Sequence, residues 1–186
     1  MRLFVAADID DDMRGQLAAA QDALRSVLTE ARTPPRVTWV RPEAAHITLR
    51  FIGETSDETA TRIRATLAGL ALLPFAITWG TIETFGGNRN PRVIQVRPTA
   101  GFEACARLVH QINERLDPVI GAGDSRPFTP HLTLGRVRER GRGVDWARAR
   151  QAVCLTPTVT RIERVTLYES RLSRKGPTYT AVSSHG

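Results

Sequence analysis

Apolar residues recur along this chain with two different periods. Residues 2–9 form an almost continuous apolar run that includes β-branched side chains, which is typical of a buried strand. Leu17, Ala20 and Leu24 then recur at a spacing of three or four residues, which predicts an amphipathic helix over residues 12–31. Segments of these two kinds follow one another along the rest of the sequence.

The same reading predicts seven further strands and three further helices. The strands cover residues 36–41, 45–52, 75–85, 92–97, 131–138, 160–170 and 178–183, and the last helix covers residues 145–153. Thr55 and Glu58 have capping-box spacing at the start of the second helix, which Pro74 ends, and the third helix ends before Pro118. This order predicts an α+β protein, with helices on the outer faces of antiparallel sheets. No long polar linker divides residues 1–186, so we expect a single domain.

Charge and composition narrow the class of partner. The formal net charge is +7, and of the 26 basic residues all but Lys175 are arginine. Positive charge favours anionic partners such as nucleic acid, and the arginine fork suits phosphate. A GC-rich genome explains the ratio of arginine to lysine, but it does not explain the net charge. The apolar runs are too short to span a bilayer and no secretory signal is visible, so we expect a cytoplasmic protein that binds no membrane.

The two cysteines, Cys105 and Cys154, are outside any CxxC pattern, which makes a zinc site built on them improbable. A cytoplasmic protein keeps such thiols reduced, so a disulfide is not expected either. We therefore interpret both cysteines as small buried apolar residues.

An internal repeat carries the candidate chemistry. The tetrads His46-Ile47-Thr48-Leu49 and His131-Leu132-Thr133-Leu134 match in pattern, and one lies in each half of the chain. In a strand, this alternation places the histidine and threonine on one face and the aliphatic residues on the other. If a pseudo-twofold axis relates the two halves, the two polar faces meet across a cleft.

Two imidazoles on one cleft suit the hydrolysis of a cyclic phosphodiester. That reaction needs a base to take a proton from water and an acid to protonate the leaving ribose oxygen. Histidine can be neutral in one copy and protonated in the other near pH 7. Thr48 and Thr133 can donate to the phosphate oxygens. This scheme requires neither a metal nor a cofactor, and no Asp, Glu or Cys accompanies His46 and His131 at ligand spacing.

Two arginines are candidate phosphate ligands. Arg50 falls on the His46 face by period-2 counting, which predicts a clamp. Arg136 follows the second tetrad at an odd offset, so it reaches the site only if Gly135 introduces a bulge. The other histidines have no assigned role, because His110 lies beside polar Gln111 in the third helix and His185 lies in the tail.

The tetrads and their surroundings resemble the two-histidine (2H) phosphoesterase superfamily, and within it the LigT-like or ThpR-like RNA 2′,3′-cyclic phosphodiesterases. Patches of resemblance run from about residue 1 to residue 182. Outside the tetrads they are Trp39 to Pro42, Phe51 to Glu54, Phe85 to Gly87, Pro91 to Val93, Arg126 to Pro130, Leu167 to Ser170, Gly176-Pro177 and Tyr179.

The resemblance implies a bilobal α+β fold, in which two similar lobes enclose a central cleft and each carries one tetrad. It implies hydrolysis of RNA 2′,3′-cyclic phosphate ends to a 2′-phosphomonoester, and an association with the reverse reaction, which joins RNA ends through a 2′-5′ linkage. Carried onto this sequence, His46 is the proton donor, His131 is the proton acceptor, and Thr48 and Thr133 bind the phosphate. We expect a monomer whose partner is RNA with a 2′,3′-cyclic phosphate end.

Residue spacing alone does not separate the acid from the base, because the two tetrads are chemically equivalent. Two other functions stay open at this point. One is a related enzyme acting on small cyclic nucleotides or 2′-5′ oligonucleotides, and the other is an RNA-binding module without catalysis. Two intact tetrads argue against the binding module, because binding alone needs no acid and base pair.

Overall fold

The strands of the molecule form two antiparallel sheets flanked by helices. The computed structural model describes residues 1–87, 90–123, 126–173 and 176–186. Its elements are β1 (Arg2–Asp8), α1 (Asp11–Thr29), β2 (Arg36–Trp39), β3 (His46–Glu54), α2 (Asp57–Ala68), β4 (Phe75–Phe85), β5 (Val93–Ala100), α3 (Phe102–Ile120), β6 (Leu132–Glu139), α4 (Trp146–Gln151), β7 (Thr158–Ile162), β8 (Val165–Ser173) and β9 (Gly176–His185).

Each sheet combines strands from both halves of the chain. The first sheet has the order β3-β1-β8-β9, and the second has the order β2-β6-β5-β4-β7. Helices α2 and α3 pack together on the four-stranded sheet, whereas α1 lies against the five-stranded sheet with α4 beside it. The predicted α+β class with antiparallel sheets is confirmed. The first tetrad lies on β3, and the second starts one residue before β6, so each sheet carries one tetrad.

The predicted strand over residues 160–170 is wrong, because the chain changes sheets there. β7 ends at Ile162 and pairs with β4, whereas β8 begins at Val165 and pairs with β1 and β9. The buried residues Ile162 and Val165 are three positions apart, which breaks the period of two that a single strand would keep.

The third helix runs past its predicted end, since α3 continues through Pro118 to Ile120. Proline removes one helical hydrogen bond, and this loss is tolerated in the last turn because Gly121 still donates its amide to the Asp117 carbonyl. The second helix begins one residue later than the capping box suggested. Its N-cap is Ser56, whose side chain accepts a hydrogen bond from the Thr59 amide.

The cysteines differ from each other. Cys105 is buried in α3, where burial raises the pKa of its thiol to about 12. Cys154 is exposed, so the prediction that both cysteines are buried is wrong for this one. Both are free thiols. Within the part of the chain that the structure describes, no helix is long and apolar enough to cross a membrane.

A buried hydrogen bond joins two strands of the five-stranded sheet. The Trp79 indole, which has no exposed surface, donates through Nε1 to the Thr160 hydroxyl at 3.1 Å. A buried indole N–H needs such an acceptor, because leaving it without one costs free energy. This bond therefore fixes β7 against β4.

The Thr160→Val substitution preserves the side-chain shape but removes the acceptor. We expect the free energy of unfolding to fall by about 1–3 kcal/mol, the cost of an unpaired buried donor. Urea denaturation measures this change. Thr180→Val, at an exposed position of β9, is the control, and it should change the free energy by no more than about 0.5 kcal/mol. Equal losses in the two variants would contradict this account of the Trp79 bond.

Candidate active site

A cleft of about 400 Å³ lies between the two sheets. Its walls come from both sheets and from the segment between β2 and β3. The lining residues are Arg2, Phe4, Thr38, Trp39, Val40, Arg41, Ala44, Ala45, His46, Thr48, Phe51, His131, Thr133, Arg136, Arg138, Ser170, Leu172, Gly176, Pro177 and Tyr179.

The structure brings the polar residues of both tetrads into this cleft. His46, Thr48, His131 and Thr133 all line it, and all four are half-buried. The four aliphatic residues of the tetrads are buried in the core, as a strand alternation requires; they are Ile47, Leu49, Leu132 and Leu134. Two imidazoles and two hydroxyls therefore share one cavity.

The two imidazoles are held by equivalent hydrogen bonds. Nδ1 of His46 lies 2.9 Å from the Ala44 carbonyl oxygen, and Nδ1 of His131 lies 2.9 Å from the Thr129 carbonyl oxygen. A carbonyl oxygen only accepts, so each Nδ1 carries a proton and donates it. Nε2 is then the nitrogen that gains or loses a proton in both rings, and the tautomer of each neutral ring is fixed.

The electrostatic surroundings of the two rings differ. Burial is the largest influence on the pKa of His46 and lowers it, while the bond to Ala44 and the charge of Asp8 both act to raise it. His131 and Arg136 lower the same pKa further. His46 therefore has a carboxylate nearby that favours its protonated form.

The charges that act on His131 are those of two arginines. Burial again lowers its pKa most, and the bond to Thr129 opposes this effect. The charges of Arg97 and Arg136 then lower the pKa further. Since a neighbouring cation disfavours imidazolium, both arginines favour the neutral form of His131.

A β-bulge in β3 overturns the predicted position of Arg50. In the pairing with β1, Thr48 is opposite Ala6 and Arg50 is opposite Val5, so Leu49 is an extra residue. An extra residue reverses the face on which the following side chains lie. Arg50 therefore leaves the cleft side, and Phe51 lines the cleft in its place.

Arg50 instead joins β3 to the end of α3. Its side chain is only 6% exposed and donates to Asn113 Oδ1, to Asp117 Oδ1 and to the carbonyl of Gly121, each at 2.8 Å. A cation at this end of a helix also opposes the negative end of the helix dipole. The prediction of a phosphate clamp is wrong for Arg50, because its guanidinium is committed to α3.

β6 contains the matching irregularity, and here it supports the prediction. Gly135 is opposite Ile94 and Thr133 is opposite Gln95, so Leu134 is the extra residue. Arg136 consequently lies on the cleft side and lines the cavity. The bulge on which the position of Arg136 was conditional is therefore present. A bulge assumed at the matching place in the first tetrad would have excluded Arg50 from the cleft.

Gln21 of α1 holds the second bulge in place. It is buried, and its Nε2 donates to the carbonyl of Leu134 at 3.0 Å and to that of Val40 at 2.6 Å. The Leu134 carbonyl also accepts the Val40 amide at 2.9 Å. A side chain anchored to a helix therefore adjoins each bulge: Arg50 contacts α3, and Gln21 extends from α1.

A polar group behind His46 was not predicted from the sequence. Asp8 pairs with His46 across β1 and β3, and its carboxylate accepts hydrogen bonds from the Tyr168 hydroxyl at 2.6 Å and the Thr166 hydroxyl at 3.1 Å. Burial and the bond to Asp8 raise the pKa of Tyr168 to about 12, so this phenol stays a donor. Period-2 counting along β1 would have placed Asp8 on the same face as Phe4, which lines the cleft.

Aromatic rings surround His46 as well. The ring centroids of Phe4 and Tyr179 lie 4.8 Å and 5.1 Å from that of His46, and Tyr179 meets it edge-on at 84°. These contacts fix the plane of the imidazole and exclude water from its sides. The apolar run of β1 predicted that Phe4 is buried, but it carried no signal that Phe4 would touch His46.

The remaining histidines lie away from the tetrads. His110 is exposed on α3, 3.3 Å from Glu114, and His185 bonds to the Ser183 hydroxyl near the end of β9. Among the described residues, no group of three or more His, Cys, Asp or Glu side chains is arranged to hold a metal ion.

Comparison with known proteins assigns the family. The family model of the 2′-5′ RNA ligase superfamily matches residues 10–174. The chain belongs to this superfamily. A protein from Archaeoglobus fulgidus, named RNA 2′,3′-cyclic phosphodiesterase, is 33% identical over 180 residues, with 96% of each chain covered. One from Methanothermobacter thermautotrophicus with the same name is 32% identical over 190 residues, with 97% of this chain and 95% of the other covered.

Solved structures share the fold of this chain. A protein from Thermus thermophilus superposes with a TM-score of 0.77 at 27% identity, over 99% of this chain and 96% of the other. Escherichia coli LigT in its apo form superposes with a TM-score of 0.72 at 23% identity, over 98% and 95% of the two chains. The predictions of the two-histidine phosphoesterase family, of its fold and of the RNA 2′,3′-cyclic phosphodiesterase class are confirmed.

Replacing Arg50 tests whether it is a structural anchor or a phosphate ligand. Arg50→Ala leaves Asp117 and the Gly121 carbonyl without their donor, so we expect the free energy of unfolding to fall by about 3 kcal/mol. Arg107→Ala, at an exposed position of α3, is the control, because it removes the same charge from the protein. Differential scanning calorimetry measures the stability, and turnover is measured well below the Tm. Loss of turnover in a variant of unchanged Tm would restore the clamp hypothesis.

Proposed function

We propose that this chain hydrolyses the 2′,3′-cyclic phosphate at an RNA end to a 2′-phosphomonoester, by acid and base catalysis from His46 and His131 without a metal. The observation that carries the proposal is the matched pair of imidazoles in one cleft. Both rings are fixed through Nδ1, so both present Nε2 as the titrating nitrogen. The names of the relatives from Archaeoglobus and Methanothermobacter support the choice of substrate.

His131 is the proposed base. Its neighbours Arg97 and Arg136 favour the neutral ring, whose Nε2 has a free lone pair. Nε2 takes a proton from water as the water oxygen bonds to the phosphorus. The proton then resides on His131 until solvent removes it.

His46 is the proposed acid. Asp8 opposes the lowering of the His46 pKa and so favours the protonated ring, in which Nε2 holds the proton for the departing 3′ oxygen. The bond between phosphorus and that oxygen breaks, the ribose keeps a 3′-hydroxyl, and the phosphate stays on the 2′ oxygen. The acid and base roles thus rest on a difference in charge that the two tetrads themselves do not show.

Thr48, Thr133 and Arg136 are the proposed phosphate ligands. All three line the cleft, and the charge of Arg136 acts on both histidines, which supports a role at the phosphate. Hydroxyl and guanidinium donors stabilise the charge that builds up on the non-bridging oxygens during attack. Escherichia coli LigT has been crystallised with phosphate and with 3′-AMP, which supports such ligands for the shared fold.

Ligation of two RNA ends follows from the same roles with a different nucleophile. If the 5′-hydroxyl of a second RNA replaces water, His131 takes its proton and the product has a 2′-5′ linkage. The superfamily description supports this reaction as a part of the proposal. Cytoplasmic location and a monomeric state stay predictions.

A small cyclic nucleotide is the second candidate substrate, because the reacting atoms are the same. Phe51 favours a substrate with a base, since 56% of its surface is exposed on the cleft and the Arg2 guanidinium lies 5.1 Å from its ring centroid. An exposed ring of this kind offers a base a stacking partner. This feature alone does not separate a mononucleotide from an RNA end.

Single substitutions at the two histidines test the proposed chemistry. On a short RNA with a 2′,3′-cyclic phosphate end and EDTA present, His46→Ala and His131→Ala should each lower kcat by about 10²–10⁴-fold. The double variant should be little worse than either, because the pair acts as one unit. Phosphatase treatment and mapping of the product should give a 2′-phosphate. His110→Ala, at an exposed site on α3, is the control and should keep full turnover.

A 3′-phosphate product would exchange the leaving oxygen and contradict the proposed acid and base roles. Loss of activity in EDTA that a divalent metal restores would contradict the metal-independent route. An additive effect of the two substitutions would show that the histidines do not act together.

The pH profile tests the role of Asp8. Activity falls at low pH as His131 gains a proton and falls at high pH as His46 loses one, so kcat/KM should be bell-shaped. Asp8→Asn removes a charge that raises the pKa of His46, so the upper limb should move to lower pH. Tyr168→Phe is the control, because it keeps the carboxylate and should leave that limb in place. A shift of the lower limb in Asp8→Asn would assign the acid role to His131 instead.

A further inference from the structure

The two walls of the cleft differ in chemistry. The four-stranded sheet contributes the apolar and aromatic side chains that we call the apolar wall, which are Phe4, Phe51, Leu172, Pro177 and Tyr179, and one cation, Arg2. The opposite side carries the cationic and hydroxyl side chains that we call the basic wall, on and beside β2 and β6: Thr38, Arg41, Thr133, Arg136 and Arg138. Trp39 and Val40 lie among them. A nucleic acid with bases and charged phosphates matches walls of these two kinds.

The basic wall contains two arginines in succession on one strand. Arg136 and Arg138 are two residues apart on β6, and both line the cleft. Residues at this spacing share a face of a strand and are separated by about 6.7 Å. Arg138 is the next cation along β6 after Arg136 and lies farther along the strand from His131.

Arg138 is partly fixed by the neighbouring strand. Its Nε donates to the Thr38 hydroxyl at 3.2 Å, and Thr38 lines the cleft beside it. This bond uses one of the five N–H donors of a guanidinium, and the other four belong to the two terminal nitrogens. The adjacent carboxylate on β6, that of Glu139, is engaged by Arg36 at 2.9 Å. Arg138 is therefore oriented by a neutral partner and keeps its positive charge for a ligand.

The covalent structure of RNA supplies an anion for this position. The nucleoside that carries the cyclic phosphate is joined through its 5′ oxygen to the preceding phosphate, so two anionic groups lie one nucleoside apart. A mononucleotide 2′,3′-cyclic phosphate has only the first of them. A cation one step beyond the reacting phosphate thus distinguishes an RNA end from a cyclic mononucleotide.

We propose that Arg138, positioned by Thr38, binds the phosphate on the 5′ side of the terminal nucleoside and makes the enzyme select RNA ends over cyclic mononucleotides. This proposal rests on the proposed function, because it presumes that the cyclic phosphate lies between His46 and His131. Arg136 binds the reacting phosphate, and Arg138 binds the preceding phosphate of the RNA chain.

Three substrates of increasing size test the proposal. They are adenosine 2′,3′-cyclic phosphate, the same compound with a 5′-phosphate, and the dinucleotide ApA with a 2′,3′-cyclic phosphate end. For the wild type, kcat/KM should rise at least about tenfold when the 5′-phosphate is added, the gain expected from a hydrogen bond to a charged group. The gain should shrink as salt increases, because it is electrostatic.

Substitutions at Arg138 should remove the preference. In Arg138→Ala, the ratio of kcat/KM with and without the 5′-phosphate should fall to about one, and in Arg138→Glu below one, because the new carboxylate repels the phosphate. Thr38→Val should reduce the ratio partially. Arg107→Ala removes one charge from the outer face of α3 and should retain the wild-type ratio. Arg138 is exposed, and equal Tm values in all variants establish that the fold is intact.

Three results would overturn the proposal. A wild-type ratio near one would show that no second phosphate is recognised, and an unchanged ratio in Arg138→Glu would show that Arg138 does not recognise it. An equal loss of the ratio in Arg107→Ala would attribute it to net charge alone. Absence of turnover on all three substrates is a separate failure, since it rejects the proposed function itself together with this extension of it.

Discussion

The site depends on one extra residue in each of two strands. Leu49 in β3 has no partner on β1, Leu134 in β6 has none on β5, and each occupies the last position of its tetrad. An unbulged strand would keep every second side chain on the cleft. In a bulged strand, the histidine and threonine before the bulge face the cleft. After the extra residue, the alternation of side chains is reversed relative to the cleft. The tetrad therefore ends at the position where its strand reverses its faces.

The positions after the bulges hold different residues, and this difference makes the two halves of the site unequal. Beyond its bulge, β3 presents Phe51 to the cleft, whereas β6 presents Arg136. The inequality continues behind the histidines, where Asp8 acts on one ring and Arg97 acts on the other. The backbone is thus close to symmetric in its hydrogen bonds, while the charges are not. A pair of histidines that acts as acid and base needs both properties. The two rings must be oriented alike towards the phosphate, and their affinities for a proton must differ.

Residue periodicity predicted the α+β class and placed His46, Thr48, His131 and Thr133 on the cleft. These outcomes depend on local chain geometry, which a short pattern contains. The position of Arg50 depends on a bulge that the pairing with β1 reveals, and a strand pattern read alone does not show its partner. The change of sheet near Ile162 was not predictable from the local pattern for the same reason, because it depends on which strands pair with β7 and β8. Asp8 was accessible by counting along β1, but its link to His46 required knowing that β1 and β3 are neighbours.

The placement of β1 between β3 and β8 has a consequence for synthesis on the ribosome. β1 emerges first and can pair with β3 early, but its other edge stays open until β8 is made. An open edge of an apolar strand is a template for pairing with another chain, and distant pairings form slowly. Nascent chains of this protein should therefore spend most of their translation with one unprotected sheet edge.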